Sequence, residues 1–293
     1  MSVHSVGKFE ETLANSNRGW LAELELRFEH AQQRSFLAFK RHCGPLRVQR
    51  PFYPEGADKA CHVYLLHPPG GVVGGDELHI NINAEKNAHA VVTTPAAGKF
   101  YRSAGPFSFQ TQELVLDEKA IVEWLPQENI VFSGARANMC TRVQLASQSR
   151  FIGWEITCLG SAPTNELFTT GNFNTRFEVW RGKHPIFIEC SAIEGGGDIL
   201  TSRWGMAGFT VMGSLFCEGS YPGLVEKVRE HVCRVSEVNE DYFFTVTQLE
   251  GGLVCRYLGH YAEEAKAVFS QALECIRPVV IEQEFHRPRI WDT

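Results

Sequence analysis

Two glycine-rich runs and a few acidic residues on apolar segments are the parts of this sequence whose residue types could do chemistry. The first run, His67 to Asp76, reads HPPGGVVGGD; the second, Glu194 to Gly205, reads EGGGDILTSRWG. A glycine-rich loop cradles phosphate when a Gly-Lys-Ser/Thr step opens a helix, because the helix N-terminal amides then point at the anion. Neither run carries that lysine, and ELHININ after Asp76 alternates as a strand does. Both runs are therefore expected to be loops between strands, with Asp76 a fixed carboxylate at the exit of the first.

The acidic residues carry more information. In FIGWEITCLG one face is Ile152, Trp154, Ile156 and Cys158, while Glu155 lies on the other with Gly153 and Thr157. In HPIFIECSAI, Glu189 shares a side with Phe187 and Ser191, and Glu128 sits between two hydrophobic stretches in WLPQENIVF. The plain expectation is that such carboxylates face solvent. The sharper one is that they line an internal polar passage and hand on a hydrated divalent cation. Carboxylates are hard ligands with little selectivity among divalent metals, which suits transit better than storage.

Hydrolytic constellations do not assemble. No G-x-S-x-G elbow and no H-E-x-x-H helix occurs. His62 and His67 fall on opposite faces of a regular strand, so they cannot share a metal from it. The competing enzyme reading is a β-helical protein acting on polysaccharide through paired carboxylates, for which Glu123 and Glu128 flank Trp124. The chain has no His-rich tract of the kind that stores metal ions.

The elements that must position these residues are mostly strands. Leu24, Leu26 and Phe28 alternate with Glu23, Glu25, Arg27 and Glu29. Comparable runs recur at CHVYLLH, ELHININAE, HAVVTTP, SFQTQELVLD, AIVEWLPQ, TRVQLAS, FIGWEITCLG, TRFEVWRG and HPIFIECSAI, each bounded by turn residues. No helix interrupts them before Tyr221, so the body is β-rich rather than doubly wound α/β. Two helices follow, Pro222–Val235 and His260–Ile276, the second stopped by Arg277-Pro278. Between them a hairpin turns near Gly251-Gly252. The wide apolar faces of the two helices mark them as a partner surface.

Composition bounds the function class. Lys and Arg number 28 against 34 Asp and Glu, a formal net charge of −6, which argues against a nucleic-acid surface. No apolar run approaches the ~20 residues that span a bilayer, and the first twenty residues lack the apolar core of a secretory signal. Nine cysteines without a C-x-x-C pair read as reduced, mostly buried thiols of a cytoplasmic protein.

The runs HPPGGVVGGD, TTPAAGKFYRS, WLPQENIVF and GWEITCLG, with RPRIWDT at the end, resemble the urease accessory protein UreD family, called UreH in some species. The resemblance covers Trp20 to Thr293 with the motifs in the family's order. It leaves residues 1–19 as a flexible N-terminal segment before a single domain, 20–293. Its implications are a non-enzymatic scaffold chaperone and a mostly β fold, an elongated β-helix-like stack of many short strands with two C-terminal α-helices. The partners it implies are apo-urease, UreF and the GTPase UreG, and the cargo is nickel in transit, with no tightly bound cofactor. Asp76, Glu155 and Glu189 are the residues it implies for a weak nickel transit path. Ala96-Ala97-Gly98 departs from a segment that is more polar in the family pattern.

Overall fold

The computed structural model describes residues 19–161, 164, 166–235 and 242–292. The flexible segment expected over residues 1–19 lies, except for Gly19, outside the described residues. The described residues begin with β1 (Leu21–Ala31), β2 (Arg34–Cys43), β3 (Arg47–Val48) and β4 (Cys61–Leu66). It then repeats a three-strand course. The first is β5 (Glu77–Ala84), β6 (His89–Thr93) and β7 (Gly98–Phe100). The second is β8 (Ser108–Leu116), β9 (Ile121–Leu125) and β10 (Asn129–Val131). The third is β11 (Arg136–Leu145), β12 (Arg150–Ser161) and β13 (Glu166–Leu167). After β14 (Asn172–Arg181) and β15 (His184–Glu194) come β16 (Val211–Glu218), helix α1 (Leu224–Val235), β17 (Phe243–Gln248), β18 (Gly252–Gly259) and helix α2 (Ala262–Val280).

The first strand of each course stacks in parallel on its counterpart, giving β1-β5-β8-β11-β14, closed by antiparallel β2 and β15 at the two edges. The second strands stack likewise as β4-β6-β9-β12, and antiparallel β16, β18 and β17 extend that sheet. The result is a solenoid-like β-helix of about four turns. Each course turns from the first sheet to the second at a residue in the left-handed region: Asn87 (φ 62), Lys119 (φ 60) and Gln148 (φ 57). Hydrogen bonds between successive turns, such as Asn87 N–H to Glu118 O and Lys119 N–H to Ser147 O, tie the corners together.

Alternation explains both layers of the core. Leu24, Leu26 and Phe28 point between the sheets with Leu114, Leu116, Val143 and Leu145. The opposite face of the second sheet, including Ile152, Trp154 and Ile156, is covered by α1 and α2. Val268, Phe269, Leu273, Ile276 and Val280 of α2 are buried there, worth on the order of 10 kcal/mol of apolar transfer before chain entropy. Leu224, Val228 and Val232 do the same for α1. The apolar faces read as a partner surface are thus turned inward and covered.

Helix α2 does not stop at Arg277. It runs through Pro278 to Val280, capped by Ile281 N–H to Arg277 O at 2.9 Å. Proline in the last turn removes one backbone bond, and the buried anchors Arg277 and Val280 on either side of it outweigh that loss. The hairpin forms as read, with Leu249 N–H on Gly252 O at 2.7 Å. None of the nine cysteines is in a disulfide; Cys190 and Cys233 are exposed, and Cys61, Cys217, Cys255 and Cys275 are buried.

Candidate functional site

Inward-facing strand positions also build the candidate site, because the alternation carries on past the apolar residues into polar ones. Gln112 shares its side of β8 with Leu114 and Leu116, and Thr141 shares its side of β11 with Val143 and Leu145. Glu155 shares its side of β12 with Phe151, which belongs to the core between the sheets. The face opposite the Ile152-Trp154-Ile156 stripe is therefore not solvent but the interior of the solenoid.

Two cavities reach into that interior from the surface. The first, about 300 Å³, runs inward from the His67–Val72 and Thr94–Lys99 loops past Gln112, Asn129 and Met139 to Glu155. The second, about 400 Å³, begins at Glu155 and continues past Thr175 and Ser214 to Glu189 and Cys190. Glu155 stands in the wall of both. Burial pushes its carboxyl up to about 7, and the nearby charge of Glu189 adds to that, while a hydrogen bond from the Thr141 hydroxyl acts in the opposite sense. Glu189 accepts from Arg256 Nε at 2.9 Å. At the outer end of the first cavity, burial holds the His67 imidazole below its usual range.

Asp76 is placed elsewhere. It is 6% exposed, and both of its oxygens take backbone donors: Trp20 N–H at 2.8 Å and Val73 N–H at 3.0 Å. It locks the glycine loop onto the start of β1. Gly75 has φ +95, and a Cβ on Gly19 would meet Asp76 N at 2.3 Å, so the approach of the two segments depends on glycine. Asp76→Ala is expected to cost about 3 kcal/mol, since two hydrogen bonds to a charged acceptor go at once. A urea midpoint indistinguishable from the parent would contradict that assignment. The structure thus places Glu155 in the wall shared by two cavities and Glu189 along the second, and commits Asp76 to the loop at the mouth of the first.

Sequence reasoning missed a second polar cluster, beneath α2. Arg277, 1% exposed, donates from Nε to Glu123 Oε2 at 2.7 Å and from Nη2 to both Glu55 oxygens at 3.0 Å. His62 Nε2 lies 2.8 Å from Glu55, and His89 Nε2 lies 2.8 Å from Glu123. Although burial opposes it, the Arg277 guanidinium and the His89 hydrogen bond bring the Glu123 carboxyl down to about 2. Glu128 pairs with Lys266 of α2 at 3.0 Å. The two carboxylates considered for glycan hydrolysis are therefore occupied by helix cations rather than facing each other across a groove. Among the described residues no group of three or more His, Cys, Asp or Glu is placed to hold a metal ion, and no helix is long and apolar enough to cross a membrane.

Fold and cavities together define a β-solenoid whose largely apolar interior carries a few polar side chains and which is buttressed by two helices. The model of the family described as UreD urease accessory protein matches residues 21–292. The urease accessory protein UreD of Enterobacter sp. (strain 638) is 42% identical over 94% of this chain and 96% of its own length. Those of Citrobacter koseri (40% identity, 98% and 97% coverage) and Dechloromonas aromatica (42%, 94% and 95%) are similarly close. The chain belongs to the UreD family of urease accessory proteins, and its role lies in urease maturation.

Proposed function

We propose that this chain is a cytoplasmic maturation chaperone that links apo-urease to UreF and the GTPase UreG, with nickel passing through its interior on the way to the urease active site. The observation that carries the reading is Glu155, a single carboxylate in the wall common to two cavities, with Glu189 further along the second. A hydrated divalent cation moving from one cavity to the other must pass it. Each carboxylate already has a resident hydrogen-bond donor, Thr141 for Glu155 and Arg256 for Glu189, so a hard oxygen ligand of this kind holds nickel weakly, which suits release. Nickel is cargo in this account, and no resident cofactor is needed. Asp76 serves the path indirectly, by holding the loop at its outer end.

Removing the protein from a cell at limiting nickel should leave abundant, nickel-poor urease. Glu155→Ala with Glu189→Ala should lower nickel per urease active site severalfold while the accessory complex still co-purifies. Wild-type nickel loading in the double variant, read by elemental analysis of purified urease, sinks the passage. Fully active urease without the protein sinks the maturation role itself.

A further inference from the structure

Glu155 does not hang free in the cavity wall. Its Oε1 accepts from the Thr141 hydroxyl, and the same hydroxyl lies 3.1 Å from Gln112 Oε1. Thr141 and Gln112 are 0% and 2% exposed, so bulk solvent scarcely reaches these two side chains. A threonine hydroxyl has one proton to give. It can satisfy Glu155 or Gln112, but not both at full strength.

Two self-consistent arrangements follow. In one, Thr141 donates to Glu155 and the Gln112 amide turns its NH2 to the hydroxyl oxygen. In the other, Thr141 donates to the Gln112 carbonyl oxygen and Glu155 is released. The change needs a hydroxyl rotation and a half-turn of a terminal amide, a broad torsion, with no change in occupied volume.

We propose that Gln112, Thr141 and Glu155 form a reversible hydrogen-bond latch in which the Thr141 hydroxyl and a divalent cation compete for the same carboxylate oxygen. This rests on the passage reading above. An arriving cation draws Oε1 away, and the hydroxyl turns to Gln112. As the cation moves on, the hydroxyl returns to Glu155. Without a competitor, a carboxylate in this low-dielectric interior would hold a cation hardest where transit needs it to let go. Glu189 carries the same provision in another form, since Arg256 Nε is its resident donor.

The test uses Ni²⁺ ions alone as the probe, titrated into the full chain at pH 8.5, where Glu155 is ionised. Thr141→Val keeps the side-chain volume and removes the competing proton. It should bind Ni²⁺ roughly three- to tenfold tighter, the weight of about one hydrogen bond, and load urease more slowly. Thr141→Ser should return both readings to the parent value. Gln112→Met removes the alternative acceptor, leaves the hydroxyl to Glu155 and should weaken Ni²⁺ binding, a shift of opposite sign that general loosening of the fold does not produce. Unchanged Ni²⁺ affinity in Thr141→Val, or shifts of the same sign in the Thr141→Val and Gln112→Met variants, overturns the latch. Glu155→Gln separates the two levels. If it lowers binding and loading while the latch variants change neither, the passage stands and the latch falls; if it too changes neither, the passage falls and the latch with it.

Discussion

Arg277→Met is expected to destabilise the protein by about 3–5 kcal/mol and to lower the thermal midpoint by on the order of 10 °C. The side chain is 1% exposed and ties α2 to β9 through Glu123 and to the loop before β4 through Glu55. Methionine fills much of the volume but leaves two buried carboxylates without their cation. The pH dependence has a definite sign. Glu123 sits at about 2 in the folded protein against an ordinary value of 4.5, so its stabilising contribution is complete above pH 4.5 and is lost as the pH falls from there towards 2. In the variant the orphaned carboxyls take up protons more readily, so the gap between parent and variant should be widest at pH 7.5 and narrow in acid. Thermal unfolding at several pH values measures both effects. A loss below about 1 kcal/mol at pH 7.5 would show that the guanidinium is dispensable. Replacing Glu55 and Glu123 with apolar residues beside Arg277→Met should recover much of the loss, because an apolar cluster of similar volume substitutes well for a buried ion pair.

This cluster also marks where the sequence stops being legible. Glu123, Glu55 and Arg277 are far apart in the chain, and nothing in their local spacing says that they meet. Arg277 reads from sequence as the residue before a helix-stopping proline. In the structure its ion pairs help the helix run through that proline. The Glu123 and Glu128 pairing considered for glycan hydrolysis does not form, for a related reason: the two flank a tryptophan in sequence, but their side chains are claimed by Arg277 and Lys266 from a helix more than a hundred residues away.

The strands were legible because alternation is local. Leu24-Leu26-Phe28 and Ile152-Trp154-Ile156 each face a core as their period requires. The winding was less so. The corners at Asn87, Lys119 and Gln148 recur at roughly thirty-residue intervals, the repeat signature of a solenoid. Their residues differ in type, however, and only the backbone conformation and the bonds between turns equate them. The few polar side chains of the interior were half legible. Glu155 was identified as off the apolar stripe, but which face looked into the protein depended on the helices covering the other. Gln112 and Thr141 could have been found by extending the inward parity of Leu114 and Val143 by one step along each strand. The two roles of the acidic residues around the glycine loop were not separable by sequence, because Asp76 is distinguished from Glu155 by two backbone N–H groups, one of them from Trp20 on a segment remote in the chain.

Glu155→Gln should make the protein more stable at neutral and alkaline pH and, if nickel takes the proposed passage, lower the nickel it delivers. Burial raises the Glu155 carboxyl to about 7, so the folded state holds a proton that the unfolded chain has lost by about 4.5. A raised carboxyl lowers stability as the pH climbs: there is no penalty below 4.5, it grows between 4.5 and 7, and it is complete above 7. The interval corresponds to up to about 3 kcal/mol. Glutamine keeps the shape and an acceptor for the Thr141 hydroxyl but cannot ionise, so the penalty disappears. Thermal midpoints of parent and variant should coincide near pH 4.5 and diverge in favour of the variant by pH 8, with nickel per urease site falling in the same variant. A gain in stability paired with a loss in loading is what a carboxylate held against its own electrostatics for function should give. Superimposable stability profiles from pH 4.5 to 8 would mean that cavity water solvates the ionised carboxylate as well as bulk water does, and the cost inferred from its burial would be absent.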